Sequence, residues 1–149
     1  MEYEGSATIP ASRADAWGPI TDPEVLTSCI MGAQEVTRVS ERKYEGLIRQ
    51  SVAGITVSME GEVEILDMDR PERLTFSGTG SDSRTGSRMD ADVMVHLIKD
   101  GDELVMDYAV DITFTGKLAT LGSRILKRQV TANVDTYFDN LVEYITESQ

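Results

Sequence analysis

The stretch that decides the fold is residues 116–149, which read GKLATLGSRILKRQVTANVDTYFDNLVEYITESQ. From Gly116 onward, apolar side chains recur every three or four residues, which is the period of an amphipathic helix. The predicted apolar stripe consists of Leu118, Leu121, Ile125, Val130, Val134, Tyr137, Leu141 and Ile145. The pattern predicts about thirty residues of helix, and its apolar face must be buried against another element.

The chain before this helix has the period of β-strands. From about Gln34 to Thr115, six strands fit between short turns, and in residues 57–65 Ser58, Glu60, Glu62 and Glu64 alternate with apolar residues or glycine. Short turns and alternating faces are typical of an antiparallel meander. The face predicted to point to solvent carries Glu60, Glu62, Glu64, Asp90, Asp92, Asp107 and Asp111.

The first thirty residues predict one more strand and two short helices. Residues 3–9 alternate as a half-buried strand. Ser12 is a helix N-cap, and Gly18-Pro19 is predicted to end that first helix early. Asp22-Pro23 begins a second helix, which is predicted to end near Met31-Gly32.

This order of elements predicts an α+β helix-grip fold. A curved seven-stranded antiparallel sheet would wrap around the long C-terminal helix, with the two short helices after the first strand. We expect residues 1–149 to form one domain, because this length suits a single core. The helix would lay its stripe on the concave face of the sheet, and such an arrangement can enclose an apolar ligand cavity.

Charge and composition exclude several classes of function. The formal net charge is −12, with 26 acids against 14 bases, which argues against nucleic acid as a partner. The bases are ten Arg and four Lys, a balance that suits a protein kept soluble in high salt, although an ordinary acidic protein is the alternative. No basic and apolar leader opens the sequence and no run of about 20 apolar residues occurs, so we expect a cytoplasmic protein.

The sequence gives no sign of a disulfide, a metal site or another cofactor. Cys29 is the single cysteine and His96 the single histidine, too few for a Cys/His zinc cluster. No Ser-His-Asp, Cys-His or phosphate-loop arrangement is present, and the carboxylates of the sheet point to solvent, where nothing tunes their pKa for catalysis. No catalytic residue is therefore predicted.

Two local motifs narrow the fold to a family. The order of elements is similar to that of the START-like (SRPBCC) superfamily. Residues 22–32, DPEVLTSCIMG, and residues 116–124, GKLATLGSR, resemble CoxG, the G-subunit family of carbon monoxide dehydrogenase, as do the Tyr44-Glu45-Gly46 strand start and the Pro71-Glu72 turn. Two positions at the predicted cavity mouth differ from the family's usual residues, since Met31 replaces a proline and Ala33 a cysteine.

The resemblance implies an accessory protein rather than an enzyme. Its partner would be a molybdenum hydroxylase of the carbon monoxide dehydrogenase type, which it would serve in assembly, membrane recruitment or electron transfer. It would hold a hydrophobic small molecule such as a lipid or a quinone. The alternative is a small START-like enzyme, a cyclase or a hydratase, in which Tyr44, Tyr108, Tyr137 or Asn133 would be polar groups inside the cavity.

The candidate ligand-binding residues are those that strand parity and helix period turn inward. Flexible thioethers and aromatic rings suit a variable apolar guest, although a solid core would use the same residues. Residues 30–32 would face Leu118, Leu121 and Gly122 across the cavity mouth. The candidates are Trp17, Ile30, Met31, Met59, Phe76, Met89, Met106, Tyr108, Leu118, Leu121, Val130, Val134 and Tyr137.

Four bases stand at the start of the long helix, where the helix dipole disfavours cations by a few tenths of a kcal/mol each. They are Lys117, Arg124, Lys127 and Arg128. Three explanations remain open: docking to an acidic partner, contact with the anionic inner face of a membrane, or pairing with carboxylates of the sheet.

Overall fold

A computed structural model describes residues 1–147 and gives the expected order of elements. The first strand is followed by two short helices, six more strands, a 3-10 helix and a long helix. The strands are β1 (Glu2–Ile9), β2 (Ala33–Ser40), β3 (Lys43–Val52), β4 (Ile55–Asp69), β5 (Arg73–Asp82), β6 (Ser87–Asp100) and β7 (Glu103–Thr115). The helices are α1 (Arg13–Thr21), α2 (Pro23–Cys29), the 3-10 helix Leu118–Leu121 and α3 (Ser123–Glu147).

The seven strands form one antiparallel sheet in the order β1-β7-β6-β5-β4-β3-β2. Every strand from β2 to β7 pairs with its neighbour in sequence, and β1 joins the far edge by pairing with β7. The predicted α+β helix-grip architecture is confirmed. The register places Gly46, Gly61 and Gly80 side by side on three strands. A Cβ atom at Gly61 would collide with the backbone carbonyl of Thr79, so the neighbouring strands can approach there only because side chains are absent.

The start of α1 is as expected, but its end is not. Ser12 Oγ accepts a hydrogen bond from the Asp15 N–H at 3.1 Å. The helix then continues through Pro19 to Thr21, so the prediction that Gly18-Pro19 ends it was wrong. Proline lacks the N–H that would bond to the Asp15 carbonyl, but Asp15 is exposed, where water can satisfy that oxygen. Buried Ile20, just after the proline, holds the last turn against the core.

The long helix is shorter than predicted because the helical conformation is interrupted at Gly122. Gly122 has φ 86° and ψ 159°, which in practice is open only to glycine, and it separates the 3-10 helix from α3. The buried stripe differs from the predicted one at the start of this helix, whereas Val130, Leu141 and Ile145 are buried as predicted. Ile125 is 38% exposed, whereas Leu126 is 5% exposed and takes the inward position.

Helix α3 lies on the concave side of the sheet. Leu141 and Ile145 join one buried cluster with Ile9, Leu97 and Leu104 of the strands. Leu141 is fully buried, and burying a leucine contributes about 1.5–3 kcal/mol relative to leaving it exposed. The predicted packing of the helix stripe on the apolar face of the sheet is therefore present.

Candidate ligand site

The buried core is divided into two clusters at opposite ends of the sheet's concave face. The main cluster joins α1, α2 and the C-terminal half of α3 to the strands. Trp17 and Met106, at 3% and 2% exposed, are packed inside it, with Phe76, Tyr108 and Tyr137 at its border. Side chains therefore fill this end of the interior.

The second cluster lies beneath the 3-10 helix. Leu118 and Leu126 pack there on Val52 and Val57, and Met59, Phe114 and Leu121 surround them. The 3-10 helix is held in place from the sheet, since the Leu118 N–H donates to Ser87 Oγ at 3.2 Å. Gly116 contributes too, because a Cβ atom there would collide with the Gly86 carbonyl. The short helix thus closes one end of the interior.

Between the two clusters, the middle of the concave face is only partly covered. The side chains there are apolar and half-buried, and none belongs to either cluster. Three strands supply small residues in adjacent register, since Gly61 of β4 pairs with Gly80 of β5, and Gly78 of β5 pairs with Ala91 of β6. We call this region the interior gap, and its half-buried apolar residues are Ile48, Met89, Ala91, Val110 and Val134.

The predicted ligand residues are distributed over these three regions. Met89 and Val134 lie in the interior gap, and Val130 is buried beside it on α3. Met59 and Met89 flank Gly80, at whose position a Cβ atom would lie 3.8 Å from each thioether end. Ile30 is half-buried, and Met31 is 36% exposed at the end of α2.

An aromatic wall borders the gap on the side of β1. The rings of Tyr108 and Phe138 stack at 5.4 Å, and Tyr137 meets Phe138 edge-on at 5.3 Å. Tyr108 lies across β1 at Gly5, where any Cβ atom would collide with the phenol. Burial raises the pKa of Tyr108 and of Tyr137 above the ordinary value for a phenol.

An amide cluster borders the gap on the side of β3. Gln50 occupies an inward position of the strand, in register with Val57. Its Oε1 accepts from Gln129 Nε2 and Asn133 Nδ2 of α3, both at 3.1 Å, and its Nε2 donates to the Met31 carbonyl at 2.7 Å. Sequence reasoning missed Gln50 and Gln129. The available signal was a polar residue at an inward strand position.

The groups named for the enzyme alternative do not meet in one place. The Tyr44 hydroxyl donates to the Thr21 carbonyl at 2.7 Å, and Asn133 belongs to the amide cluster. The outward carboxylates predicted on the sheet line its outer face, where Glu45, Glu60 and Glu62 border a shallow groove of about 450 Å³. Within residues 1–147, no three His, Cys, Asp or Glu side chains are grouped so as to hold a metal ion.

The four bases at the start of α3 do not pair with the sheet. In the described part of the chain, none of Lys117, Arg124, Lys127 and Arg128 forms an ion pair with a carboxylate of the sheet. Lys127 Nζ instead lies 5.9 Å from the centre of the Tyr3 ring. All four are exposed and lie within residues 117–128, as does exposed Ile125, and we call these four bases the basic patch.

Solved structures with the same fold place the architecture in a known class. The chain superposes on a conserved protein from Geobacillus kaustophilus with a TM-score of 0.92 at 20% identity, covering 99% of this chain and 97% of that one. It superposes on a START superfamily protein from Mycobacterium smegmatis with a TM-score of 0.77 at 8% identity, covering 99% of both chains. No curated protein matches the sequence significantly. The fold is START-like.

The sequence then identifies the family within that class. The model of CoxG, the G-subunit family of carbon monoxide dehydrogenase, matches residues 5–146, and the chain belongs to this family. The resemblance seen in the motifs is thereby confirmed. Among residues 1–147, no helix combines the length and the apolar character needed to cross a bilayer.

Proposed function

We propose that this protein is a non-enzymatic accessory protein that carries a hydrophobic small molecule, lipid-like or quinone-like, between its sheet and its long helix. In this proposal it serves the assembly or recruitment of a molybdenum hydroxylase of the carbon monoxide dehydrogenase type. Membership of the CoxG family supports the partner. The carrier role is supported by the interior of the molecule itself.

The observation that carries the proposal is the division of the core. Domains usually have one contiguous core with smaller satellite clusters, and here the small second cluster lies at the far end of the concave face, separated from the main cluster by half-buried apolar residues. The side chains of the interior gap remain partly accessible although they point away from the outer surface, and Gly78, Gly80 and Ala91 leave its floor without bulk. An apolar guest seated there would cover surface that the chain leaves open, at about 25 cal/mol per Å².

Filling the interior gap is expected to abolish binding of an apolar guest. Ala91→Phe adds a ring on the concave face of β6, where Ala91 pairs with Gly78 and Ile112. We expect the neutral dye N-phenylnaphthylamine to bind the natural protein with enhanced fluorescence. We expect Ala91→Phe to weaken that binding more than about tenfold, because the ring occupies the guest's volume.

The matched control is Ala109→Phe, which adds the same ring to the opposite face. Ala109 is also half-buried, but it pairs with Met94, which is 50% exposed on the outer side of the sheet. Dye affinity should therefore stay unchanged in this variant. Equal loss in both variants, or no saturable binding by the natural protein, would contradict the carrier role.

In this proposal the basic patch contacts an anionic membrane surface, and the protein takes up its apolar guest from that membrane. A group of exposed bases is unusual in a chain with a formal net charge of −12, and Arg84 lies in the turn before Gly86, which packs against Gly116 at the same end. Each base held near an anionic bilayer contributes about 1 kcal/mol. Exposed Ile125 adds an apolar contact among these charges.

Charge reversal in the basic patch is expected to release the protein from anionic vesicles. Arg124→Glu with Arg128→Glu should weaken cosedimentation with phosphatidylglycerol vesicles more than about tenfold, because attraction becomes repulsion. The control is Lys99→Glu, an exposed base near the end of β6, next to the turn with Gly101. Equal binding by the natural protein and both variants would remove the membrane contact from the proposal.

A further inference from the structure

Three carboxamides from two distant elements meet beside the interior gap. Gln50 of β3 and Gln129 and Asn133 of α3 are half-buried and hydrogen-bond to one another across separations of up to 83 residues. The neighbours of Gln50 on the inward side of its strand are Ile48 and Val52. On the helix, Val130 and Val134 each directly follow one of the two amides. The polar cluster is therefore set in apolar surroundings.

The cluster does not use all of its hydrogen-bonding groups. Gln129 Nε2 donates two hydrogen bonds, one to Gln50 Oε1 and one to Asn133 Oδ1, each at 3.1 Å. Gln50 Nε2 donates one hydrogen bond to the Met31 carbonyl, and Asn133 Nδ2 donates one to Gln50 Oε1. A carboxamide nitrogen carries two hydrogens, so Gln50 and Asn133 each retain a free N–H. Within residues 1–147, nothing donates to Gln129 Oε1.

The side-chain carbonyl of Gln129, which accepts no hydrogen bond from the described residues, is not sealed inside the protein. Among the described residues, no side-chain nitrogen or oxygen is both shut off from a water-sized probe and without a hydrogen bond. Gln129 Oε1 is therefore accessible to a water-sized probe. A donor and acceptor pair beside apolar surface is the arrangement that fixes the polar end of a ligand in an apolar site.

The absence of charge on the three amides of the cluster limits which head groups can bind there. The cluster itself is uncharged, and Arg49, the base next to Gln50, points to the outer side, where its Nε donates to Ser58 Oγ at 3.2 Å. An anionic head group brought to the cluster would lose hydration, which is costly, and neither the three amides nor Arg49 supplies a positive charge to offset that loss. A neutral hydroxyl or carbonyl can use the free N–H groups and the free carbonyl instead.

We infer that Gln50, Gln129 and Asn133 form a head-group subsite that selects ligands with an uncharged hydrogen-bonding end over ligands with an anionic one. The subsite rests on the proposed carrier function, since the apolar part of the ligand occupies the interior gap. The amide cluster orients the ligand with its polar end toward α3 and β3. The head group takes up the hydrogen bonds that the protein leaves open.

The test compares ligands of one chain length in displacing bound N-phenylnaphthylamine. Dodecanol is expected to displace the dye from the natural protein at a concentration at least about tenfold lower than laurate does, because the carboxylate is desolvated without a cation. Gln129→Met keeps the length of the side chain and removes its amide. This variant should lose about three- to tenfold in dodecanol affinity, the value of one to two hydrogen bonds, while dye affinity stays within about twofold.

The outcomes separate this subsite from a purely structural role and from the carrier function. If dodecanol and dye lose affinity together in Gln129→Met, the amides only hold the helix and the subsite is wrong. Unchanged dodecanol affinity, or laurate binding as tightly as dodecanol, overturns it as well. If the natural protein binds no dye, the carrier function fails and the subsite with it, whereas dye binding with a failed amide test leaves the carrier function standing.

Discussion

Replacing Leu141 with alanine is expected to lower the free energy of unfolding by about 2–5 kcal/mol, the range for removing a fully buried leucine. Leu141 is 0% exposed and lies in the cluster that joins α3 to α1, α2 and the strands. The substitution leaves a cavity where helix and sheet meet, and alanine's higher helix propensity offsets little of the loss. Urea denaturation followed by circular dichroism measures the change.

The matched control is Ile125→Ala in the same helix. This change removes a similar aliphatic side chain, but Ile125 is 38% exposed on the outer side. Its cost should stay below about 1 kcal/mol, since surface substitutions rarely exceed this range. If Leu141→Ala cost no more than Ile125→Ala, α3 would not be packed on the concave face as described.

Replacing Gly116 with alanine is expected to cost about 3 kcal/mol or more and to detach the 3-10 helix from the sheet. Gly116 has φ 78°, in the left-handed region that disfavours alanine by about 1–2 kcal/mol. The new methyl group would also collide with the Gly86 carbonyl and lie 2.9 Å from the Ser87 Cα. Because these are backbone atoms, relief requires the turn and the 3-10 helix to move apart.

Gly101→Ala separates the cost of the left-handed backbone from the cost of the steric collision. Gly101 has φ 62°, but no atom lies within 4 Å of a Cβ built at this position. This variant should therefore cost only the free energy of placing alanine in the left-handed region, about 1–2 kcal/mol. Thermal unfolding of both variants measures the difference, and equal costs would mean that the close packing of Gly116 on Gly86 is not present in solution.

The sheet and the order of elements could be predicted because their patterns are local. Alternation in residues 57–65 and the helical period after Gly116 each report which side of an element is buried. Short turns between the strands left an antiparallel meander as the simplest topology. These signals need no knowledge of what each strand contacts.

Errors arose where tertiary contacts override local signals. Pro19 is a helix breaker by itself, but buried Ile20 keeps the last turn of α1 on the core. Near the start of α3, Ile125 and Leu126 fit a helical stripe about equally well, and the break at Gly122 decides which of them points inward. The apolar period before Gly122 therefore does not tell which side chains of α3 point inward after it.

The candidate site was less predictable than the fold. Strand parity indicated that Met89 and Met59 face inward, and the family resemblance suggested a cavity. Neither could show that the core divides into two clusters, because that depends on how far apart helix and sheet lie. The amide cluster needs Gln50 and Gln129 to meet across 79 residues, which a single sequence does not encode in any local pattern.

Photolabelling tests most directly whether an apolar guest occupies the space between sheet and helix. A long-chain alcohol bearing a diazirine would be bound to the protein, illuminated and located by peptide mapping. We predict that saturable label appears on inward residues of β4, β6 and α3, such as Met59, Met89 and Val134, and disappears with excess dodecanol. Label confined to outer residues such as Leu66 and Met94, both about half exposed, would contradict the account.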